Sequence, residues 1–308
     1  MKPRVSATPL IVLGASVVMV STAAIMIRTA QSEGVPSLAI AFWRMVLAAA
    51  VLVAVVGANA SQRHEARQIP RRVWFFTVAS GLFLALHFAS WISSLAYTSV
   101  ASSTALVTTN PIWIALISWL LFKERISGAL AAGIAVTMLG SICIFLSDAL
   151  SPSGPASQAN SLLGNSLALL GSLTVCGYLL IGRRLAGQIS IWLYVTAVFT
   201  AASGFLGLFA LIANVSLGNF SSLGWLCLFG LAIGPQLLGH TGINWALKHL
   251  TPALVAVAIL GEPIGSAILA FLMLGEKFVP LQLVGFGLLL VGIYLASRTE
   301  GRQTRDTL

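Results

Sequence analysis

Charged side chains are scarce in this chain of 308 residues: they make up 8% of it, against about 25% in a typical soluble domain. Hydrophobic residues make up 58%, and the mean hydropathy is +0.96. So few charges cannot cover a water-facing surface, which excludes an ordinary soluble protein. The apolar residues form continuous runs rather than alternating patterns, which excludes a membrane β-barrel. Recurrent runs of about 18 or more apolar residues predict a helical, multi-pass membrane protein.

Motifs for metal binding, nucleotide binding and catalysis are also missing. The three cysteines, Cys143, Cys176 and Cys227, stand singly inside apolar runs, a spacing that indicates neither a metal site nor a disulfide framework. There is no Walker sequence, so we do not expect transport driven by ATP within this chain. No Ser-His-Asp or paired-carboxylate arrangement stands out. We therefore expect no enzyme activity, no cofactor and no bound metal.

One segment returns later in the chain. Residues 110–125, NPIWIALISWLLFKER, are followed 152 positions later by 262–277, EPIGSAILAFLMLGEK. At the same offset, two prolines, two glutamates and two pairs of glycines coincide: Pro111 with Pro263, Glu124 with Glu276, Gly133 with Gly285, and Gly140 with Gly292. Apolar composition alone would not align these residue types. We interpret the match as an internal duplication.

Ten hydrophobic stretches each have about the 20 residues that a helix needs to cross a bilayer. They are predicted at 9–28, 37–57, 73–95, 99–121, 127–147, 162–182, 190–212, 223–247, 252–274 and 279–297. A segment rich in Ser, Pro and Gly divides them into two halves of five. We therefore predict a first repeat over 1–147, an extracytoplasmic linker over 148–161, a second repeat over 162–297 and a cytoplasmic tail over 298–308.

The positive charges predict the orientation. With a cytoplasmic N-terminus, fourteen of the 17 Lys and Arg residues lie on the cytoplasmic side, only Arg28 and Lys277 lie outside, and Arg44 lies within a span. Such a bias is typical of cytoplasmic loops. We thus predict a cell-membrane protein with both termini in the cytoplasm, and we explain the net charge of +9 without a nucleic-acid partner.

Five spans in each half make the second half enter the membrane upside down. Inverted repeats are typical of secondary transporters, whose substrate site lies near the midplane between the repeats. Channels share this pattern, so it favours transport without separating the two. The fold class expected from the sequence is an all-α membrane protein with ten transmembrane helices, arranged as two inverted five-helix repeats.

Glu262 is the carboxylate that lies well inside a predicted span, where an ionised group costs about 2.5–3.5 kcal/mol on the insertion scale. Pro263 follows it, and a proline there removes a backbone hydrogen bond and predicts a kink. We expect a similar kink at Pro111, the residue of the first repeat that corresponds to Pro263. Glu262 is a candidate for proton coupling, cation binding or contact with a substrate amine. A protonated acid bonded to a neighbouring helix is the alternative. Its counterpart in the first repeat, Asn110, is neutral.

Two polar stripes occur at related positions of the two repeats. Gln236, His240 and Asn244 are spaced four apart in the eighth span, and His87 and Trp91 are spaced four apart in the third. Residues four apart share one helix face. The stripes favour a shared wet cavity, in which a histidine can titrate and a tryptophan can stack on a ring or cation. Ordinary interhelical hydrogen bonds are the alternative.

Arg44 is the cation predicted inside the membrane, in the outer half of the second span. It is a candidate partner for a substrate carboxylate. Pairing with Glu262 and extension of the long side chain toward the interface are the alternatives, and we rank these two ahead.

Three segments resemble the drug/metabolite transporter superfamily, specifically its EamA-type permeases. They are FWRMVLAAA (Phe42–Ala50), LAYTSVASSTALVTTNPIWIALISWLLFKERIS (Leu95–Ser127) and LTPALVAVAILGEPIGSAILAFLMLGEK (Leu250–Lys277). The resemblance extends over essentially the whole chain as two EamA-like halves. It implies two inverted five-helix repeats around a central cavity, and movement of small organic solutes, often amino acids or related metabolites, commonly outward. The motif proline and the end-of-helix glutamate correspond to Pro111, Glu124, Pro263 and Glu276.

These observations favour a secondary carrier, an exporter of small metabolites, that works by alternating access. A nucleotide-sugar or phosphate-sugar carrier, an intramembrane enzyme acting on lipid, and a non-transporting scaffold or sensor are the alternatives. The expected partners are the lipid bilayer and a small-molecule solute. Protons as the coupling ion and a homodimer are left open by the sequence.

Overall fold

The structure is a computed structural model, which describes residues 7–122, 128–150, 158–246, 249–250, 255, 258–259 and 261–303. Over these residues the chain is helical with short connections, and it contains no β-strand. The first repeat contributes α1 (Ala7–Ser21), α2 (Ala23–Ser32), α3 (Ser37–Ala58), α4 (Ala60–Gln68), α5 (Arg71–Ser94), α6 (Val100–Val107), α7 (Asn110–Phe122) and α8 (Gly128–Leu150). The second contributes α9 (Gln158–Leu185), α10 (Ile191–Ile212), α11 (Ser222–Leu231), a π-helical segment (Ala232–Gly239), α12 (His240–Ala246), α13 (Gly261–Leu274) and α14 (Pro280–Gln303).

Six helical stretches of the described chain are long and apolar enough to cross a membrane: Ala7–Ser32, Ser37–Ala58, Arg71–Ser94, Asn160–Leu185, Ile191–Ile212 and Ser222–Ile243. Three shorter apolar helices, Ala131–Ser147, Gly261–Leu274 and Pro280–Leu295, occupy the positions of further predicted spans. The prediction of an all-α, multi-pass membrane protein is confirmed. Glu124, one of the motif glutamates, lies outside the described residues.

Three of the predicted spans are interrupted rather than continuous. The first breaks at Thr22, between α1 and α2, and the fourth breaks at residues 108–109, directly before α7 and Pro111. In the eighth, the π-helical segment contains Pro235, whose carbonyl accepts the N–H of His240 five residues later. Proline has no N–H to donate, so the regular hydrogen-bond ladder cannot pass through it. Only the break beside Pro111 lies at a position where the sequence predicted a kink.

The crossing of α8 and α14 relates the two repeats by an approximate two-fold axis. An atom added as Cβ at Gly140 would lie 2.8 Å from the carbonyl oxygen of Gly285, and one added at Gly292 would lie 2.8 Å from that of Gly133. The two contacts are equivalent: adding 152 to Gly140 gives Gly292, and subtracting 152 from Gly285 gives Gly133. Gly133 near the start of α8 meets Gly292 in the later part of α14, so the equivalent helices run antiparallel. An inverted duplication predicts this arrangement.

Side chains that the predicted topology places outside meet at one end of the molecule. Arg28 forms an ion pair with Glu276 at 3.4 Å, and both carboxylate oxygens of Glu276 accept the N–H of Val100, at 3.1 and 3.0 Å. Two residues that the same topology places in the cytoplasm are also in contact: the Ser190 N–H donates to the Glu65 carboxylate at 2.6 Å. Through the contact between Val100 and Glu276, the start of the fourth span touches the end of the ninth, its equivalent in the second repeat.

The glycine crossing predicts how sensitive the fold is to one methyl group. In Gly140→Ala the new Cβ would lie 2.8 Å from two backbone atoms, the Gly285 oxygen and the Leu289 nitrogen. Because backbone atoms cannot rotate away, we expect the free energy of unfolding to fall by about 1–3 kcal/mol. Thermal unfolding of the detergent-purified protein, followed by tryptophan fluorescence, measures this loss.

Gly287→Ala is the matched control, since among the described residues no atom outside its own helix backbone lies within 4 Å of its added Cβ. It should be as stable as the wild type or slightly more so, because alanine favours helix over glycine. Equal unfolding midpoints for the two variants would contradict the close crossing of α8 and α14.

Candidate functional site

Arg44 of α3 is the centre of the candidate site. Its side chain is 1% exposed, and its Nε–H donates to the Oε1 of Gln236 at 2.8 Å. Gln236 is itself 3% exposed and lies in the π-helical segment of the second repeat. Extension of Arg44 toward the interface, one of the alternatives that the sequence left open, does not occur here, because the guanidinium is buried and bonded to the other repeat.

Aromatic rings of α5 pack against the same guanidinium. The central carbon of the Arg44 guanidinium lies 4.5 Å from the centroid of Phe88 and 5.8 Å from that of Trp91. Both rings are buried. Such contacts between a cation and a ring face are attractive and strengthen when water is excluded. Sequence reasoning missed Phe88, because an aromatic residue within an apolar span has no feature that distinguishes it from lipid-facing or core neighbours.

His87 and Trp91 are held in place by α9. The Nδ1 of His87 lies 2.9 Å from the carbonyl oxygen of Gly171, so this nitrogen donates and the other ring nitrogen is left as an acceptor in the neutral imidazole. The His87 and Trp91 rings stack at 6.0 Å with an interplanar angle of 18°. An atom added as Cβ at Gly171 would lie 3.2 Å from the Cβ of Trp91. The small residue thus sets the distance between the two helices at the site.

Glu262 and His240 are more accessible than Arg44. Glu262 is in the first turn of α13 and half-buried, and His240 begins α12 and is exposed. Arg44 interacts electrostatically with both. In the described chain, no ion-pair contact joins Arg44 to Glu262. We refer to Arg44, His87, Trp91, Gln236, His240 and Glu262 as the central polar cluster.

The backbone around both motif prolines is bonded to a neighbouring span. The Ser21 Oγ of α1 donates to the carbonyl of Glu262 at 3.3 Å, and the Ser266 Oγ donates back to the carbonyl of Ser21 at 3.0 Å. In the other repeat the Cys176 Sγ of α9 donates to the carbonyl of Asn110 at 3.5 Å. The first and sixth spans therefore make equivalent contacts, which the sequence did not indicate.

The remaining predicted site residues lie in different places. Asn110 and Pro111 begin α7 and are half-buried, and the contact described for Asn110 is through its backbone rather than with the central polar cluster. Pro263 is buried in the first turn of α13. The side chain of Asn244 lies outside the described part of the structure. The structure thus unites six of the predicted residues, and Phe88 must be added to them.

Two cavities lie outside the central polar cluster. One of about 210 Å³ is lined by apolar side chains of α6, α13 and α14, among them Ala105, Pro263 and Phe286. The other, of about 380 Å³, lies at the ends of α9 and α10 beside Tyr178 and Arg183. Neither is lined by a member of the cluster. Within the described residues, no group of three or more His, Cys, Asp or Glu side chains is positioned to bind a metal.

The bond between Arg44 and Gln236 can be tested by removing its acceptor. In Gln236→Leu the buried Nε–H of Arg44 loses its partner, so we expect a loss of about 1.5–3 kcal/mol in the free energy of unfolding, the value of a bond to a charged group. Thermal unfolding of the purified protein measures it. Gln188→Leu is the control, since Gln188 is exposed and bonds to the backbone of Arg184. An equally small effect in both variants would contradict a structural role for the bond.

Comparison with known proteins identifies both halves of the chain. Residues 8–146 and 162–298 match the EamA-like transporter family. A solved structure, described only as the crystal structure of a protein, shares the fold with a TM-score of 0.64 and 20% identity, over 95% of this chain and 98% of that one. A search of curated proteins gives no match. The family match confirms the resemblance that the motif segments carried, and the structural match extends to the fold alone.

Proposed function

Because the chain belongs to the EamA-like transporter family, a group of membrane transporters in the drug/metabolite transporter superfamily, we propose that it is a secondary carrier. It exports small organic metabolites, such as amino acids or related compounds, by alternating access. Ten helices in two inverted repeats, with both termini in the cytoplasm, form the carrier. The solute binds between the repeats at the central polar cluster.

The observation that supports this proposal most directly is the position of the cluster. Arg44, His87 and Trp91 come from the first repeat, and Gln236, His240 and Glu262 come from the second. The Arg44–Gln236 bond and the attraction between Arg44 and Glu262 both cross the boundary between the repeats. In carriers with inverted repeats, movement of one repeat against the other changes the access to a site at this boundary.

Contacts between the repeats at the end that is predicted to be external support alternating access. The carboxylate of Glu276 bonds to the first N–H of α6 and to Arg28 of α2, and the guanidinium of Arg28 also donates to the carbonyl of Thr98 at 3.3 Å. The two contacts of Glu276 connect the repeats on the side that the positive charges assign to the exterior, whereas the bond from Arg28 to Thr98 lies within the first repeat. In the proposed cycle the two contacts of Glu276 separate when the site opens outward and form again when it closes.

The carrier is tested by overexpression followed by reconstitution. Cells that overproduce the protein are challenged with toxic analogues of amino acids and related metabolites, and we expect tolerance toward at least one. The same compound should then exchange across the membrane of proteoliposomes, measured as counterflow of the labelled solute against protein-free liposomes. Tolerance without counterflow, or neither, would contradict transport and would favour a scaffold or sensor.

Proton coupling is the finer part of the proposal, and it depends on Glu262. We expect solute flux in proteoliposomes to respond to an imposed pH gradient and to lose this response in Glu262→Gln, because the amide has nearly the same shape but cannot take up a proton. Glu33→Gln is the control, since the Glu33 carboxylate accepts a bond from Ser221, at 2.6 Å, outside the cluster. Flux that ignores the gradient in the wild type, or a response that survives in Glu262→Gln, would exclude coupling through this residue.

A nucleotide-sugar or phosphate-sugar carrier is the second candidate and is supported less well. Phosphate groups are usually bound by several cationic side chains. Within the central polar cluster, Arg44 is the permanent cation.

A further inference from the structure

Two nitrogen donors in the central polar cluster are buried and have no hydrogen-bond partner among the residues that the structure describes. They are the Nη1 of Arg44 and the Nε1 of Trp91, whose side chains are 1% and 5% exposed. Buried polar groups are nearly always bonded, so each exception requires an explanation. Both donors belong to residues in contact, since the guanidinium carbon lies 5.8 Å from the Trp91 ring centroid. We infer that they bind the carboxylate of the transported solute, an inference that rests on the proposed carrier function.

The contacts of the guanidinium leave one part of it for an anion. Its Nε is already bonded to Gln236, and the Phe88 ring lies 4.5 Å from its central carbon. These two contacts fix the position of the planar group, and Nη1 has no partner among the described side chains and backbone. A guanidinium binds a carboxylate through parallel N–H groups in its plane, which a flexible ammonium cannot reproduce.

The electrostatics of the cluster favour an anion over a neutral acceptor. Gln236 accepts a hydrogen bond from the Nε–H of Arg44 but carries no charge. Glu262 attracts Arg44 but, among the described side chains, makes no ion-pair contact with it. The charge of a buried cation that lacks a contacting anion is stabilised strongly when an anion binds. A solute carboxylate placed against Arg44 and Trp91 supplies this charge.

The orientation of Trp91 is set independently of any solute. His87 is bonded to the carbonyl of Gly171 at 2.9 Å, and its ring stacks on Trp91 with an interplanar angle of 18°. The indole is therefore held in position before the solute binds, which lowers the entropy lost on binding. Glu262, His87 and His240 are the remaining polar groups of the cluster and face the rest of the solute. The site thus selects small organic acids, including those that carry an amino group.

The test compares each acid with its own amide. Purified wild-type protein is titrated with a panel of L-amino acids, propionate and benzoate, and with the carboxamide of each, and binding is measured from the shift of the thermal unfolding midpoint. We expect at least one acid to bind at least about tenfold more tightly than its amide, the effect of losing one charge-assisted hydrogen bond. Inorganic phosphate should not reproduce the stabilisation.

Trp91→Phe retains an aromatic ring and removes only the unpaired donor, so it is the decisive variant. It should weaken the binding of that acid by about tenfold while leaving the weak binding of the amide unchanged. Arg44→Lys retains the positive charge without the planar group, and it should weaken the binding of the acid at least as much as Trp91→Phe does. The control, Trp192→Phe, changes an exposed tryptophan of α10 and should leave both affinities unchanged.

Equal binding of acid and amide, stabilisation by phosphate comparable to that by the acid, or unchanged binding of the acid in Trp91→Phe would overturn the inference. So would the absence of stabilisation by every acid in the panel. These results are separable from those on transport. Counterflow of an amine or neutral solute would support the carrier function and contradict the carboxylate site. Acid binding without counterflow would support the carboxylate site and contradict the carrier function.

Discussion

A guanidinium buried between two repeats of a membrane protein is the constraint on which the rest of this structure depends. Water is excluded from Arg44, and its described hydrogen bond is to a neutral amide, Gln236. An arrangement of this kind is stable only if other groups stabilise the charge, and here aromatic faces and the attraction of Glu262 contribute. Helices α3, α5 and α13 and the π-helical segment must therefore all keep their positions around one side chain.

The duplication explains the frame of the molecule but not the chemistry of its centre. Glycines repeat at Gly133 and Gly140 and again at Gly285 and Gly292, and they meet pairwise across the crossing of α8 and α14. Small residues allow this approach because van der Waals packing, rather than the hydrophobic effect, joins helices in lipid. The polar groups do not follow the symmetry: Asn110 in one repeat corresponds to Glu262 in the other. A symmetric frame thus encloses an asymmetric site.

The motif glutamate of the second repeat has a structural role as well. The described helix α13 ends at Leu274, and Gly275 has a φ of +67°, a left-handed conformation that glycine adopts without strain. This turn directs Glu276 back onto the N–H of Val100, where the partial positive charge of a helix N-terminus favours a carboxylate. One residue therefore caps a helix of the first repeat and pairs with Arg28. A general motif position of the sequence becomes a specific contact between repeats.

The amount that the sequence predicted differs between fold and site. Apolar runs and proline positions were enough to predict helical spans and a break beside Pro111. The sequence did not predict the break at Thr22 or the π-helical segment, since a threonine in an apolar run has no clear signal and a single proline, Pro235, does not specify a π-helix. In the site, rare polar residues in apolar spans pointed to His87, Trp91, Gln236 and Glu262. Phe88 could not be found in this way, because its role depends on the residue it packs against.

By itself, the sequence determined that the chain is helical, lies in a membrane and is built from two related halves, because the bilayer requires long apolar helices and the repeated motif remains visible along the chain. Only the tertiary structure decided that Arg44 points inward to Gln236, that Glu276 caps α6, and that two donors in the centre have no partner among the described residues. The physical reason is that the first two properties belong to pairs of residues separated by 192 and 176 positions, and all three depend on distances that are set by packing rather than by local sequence.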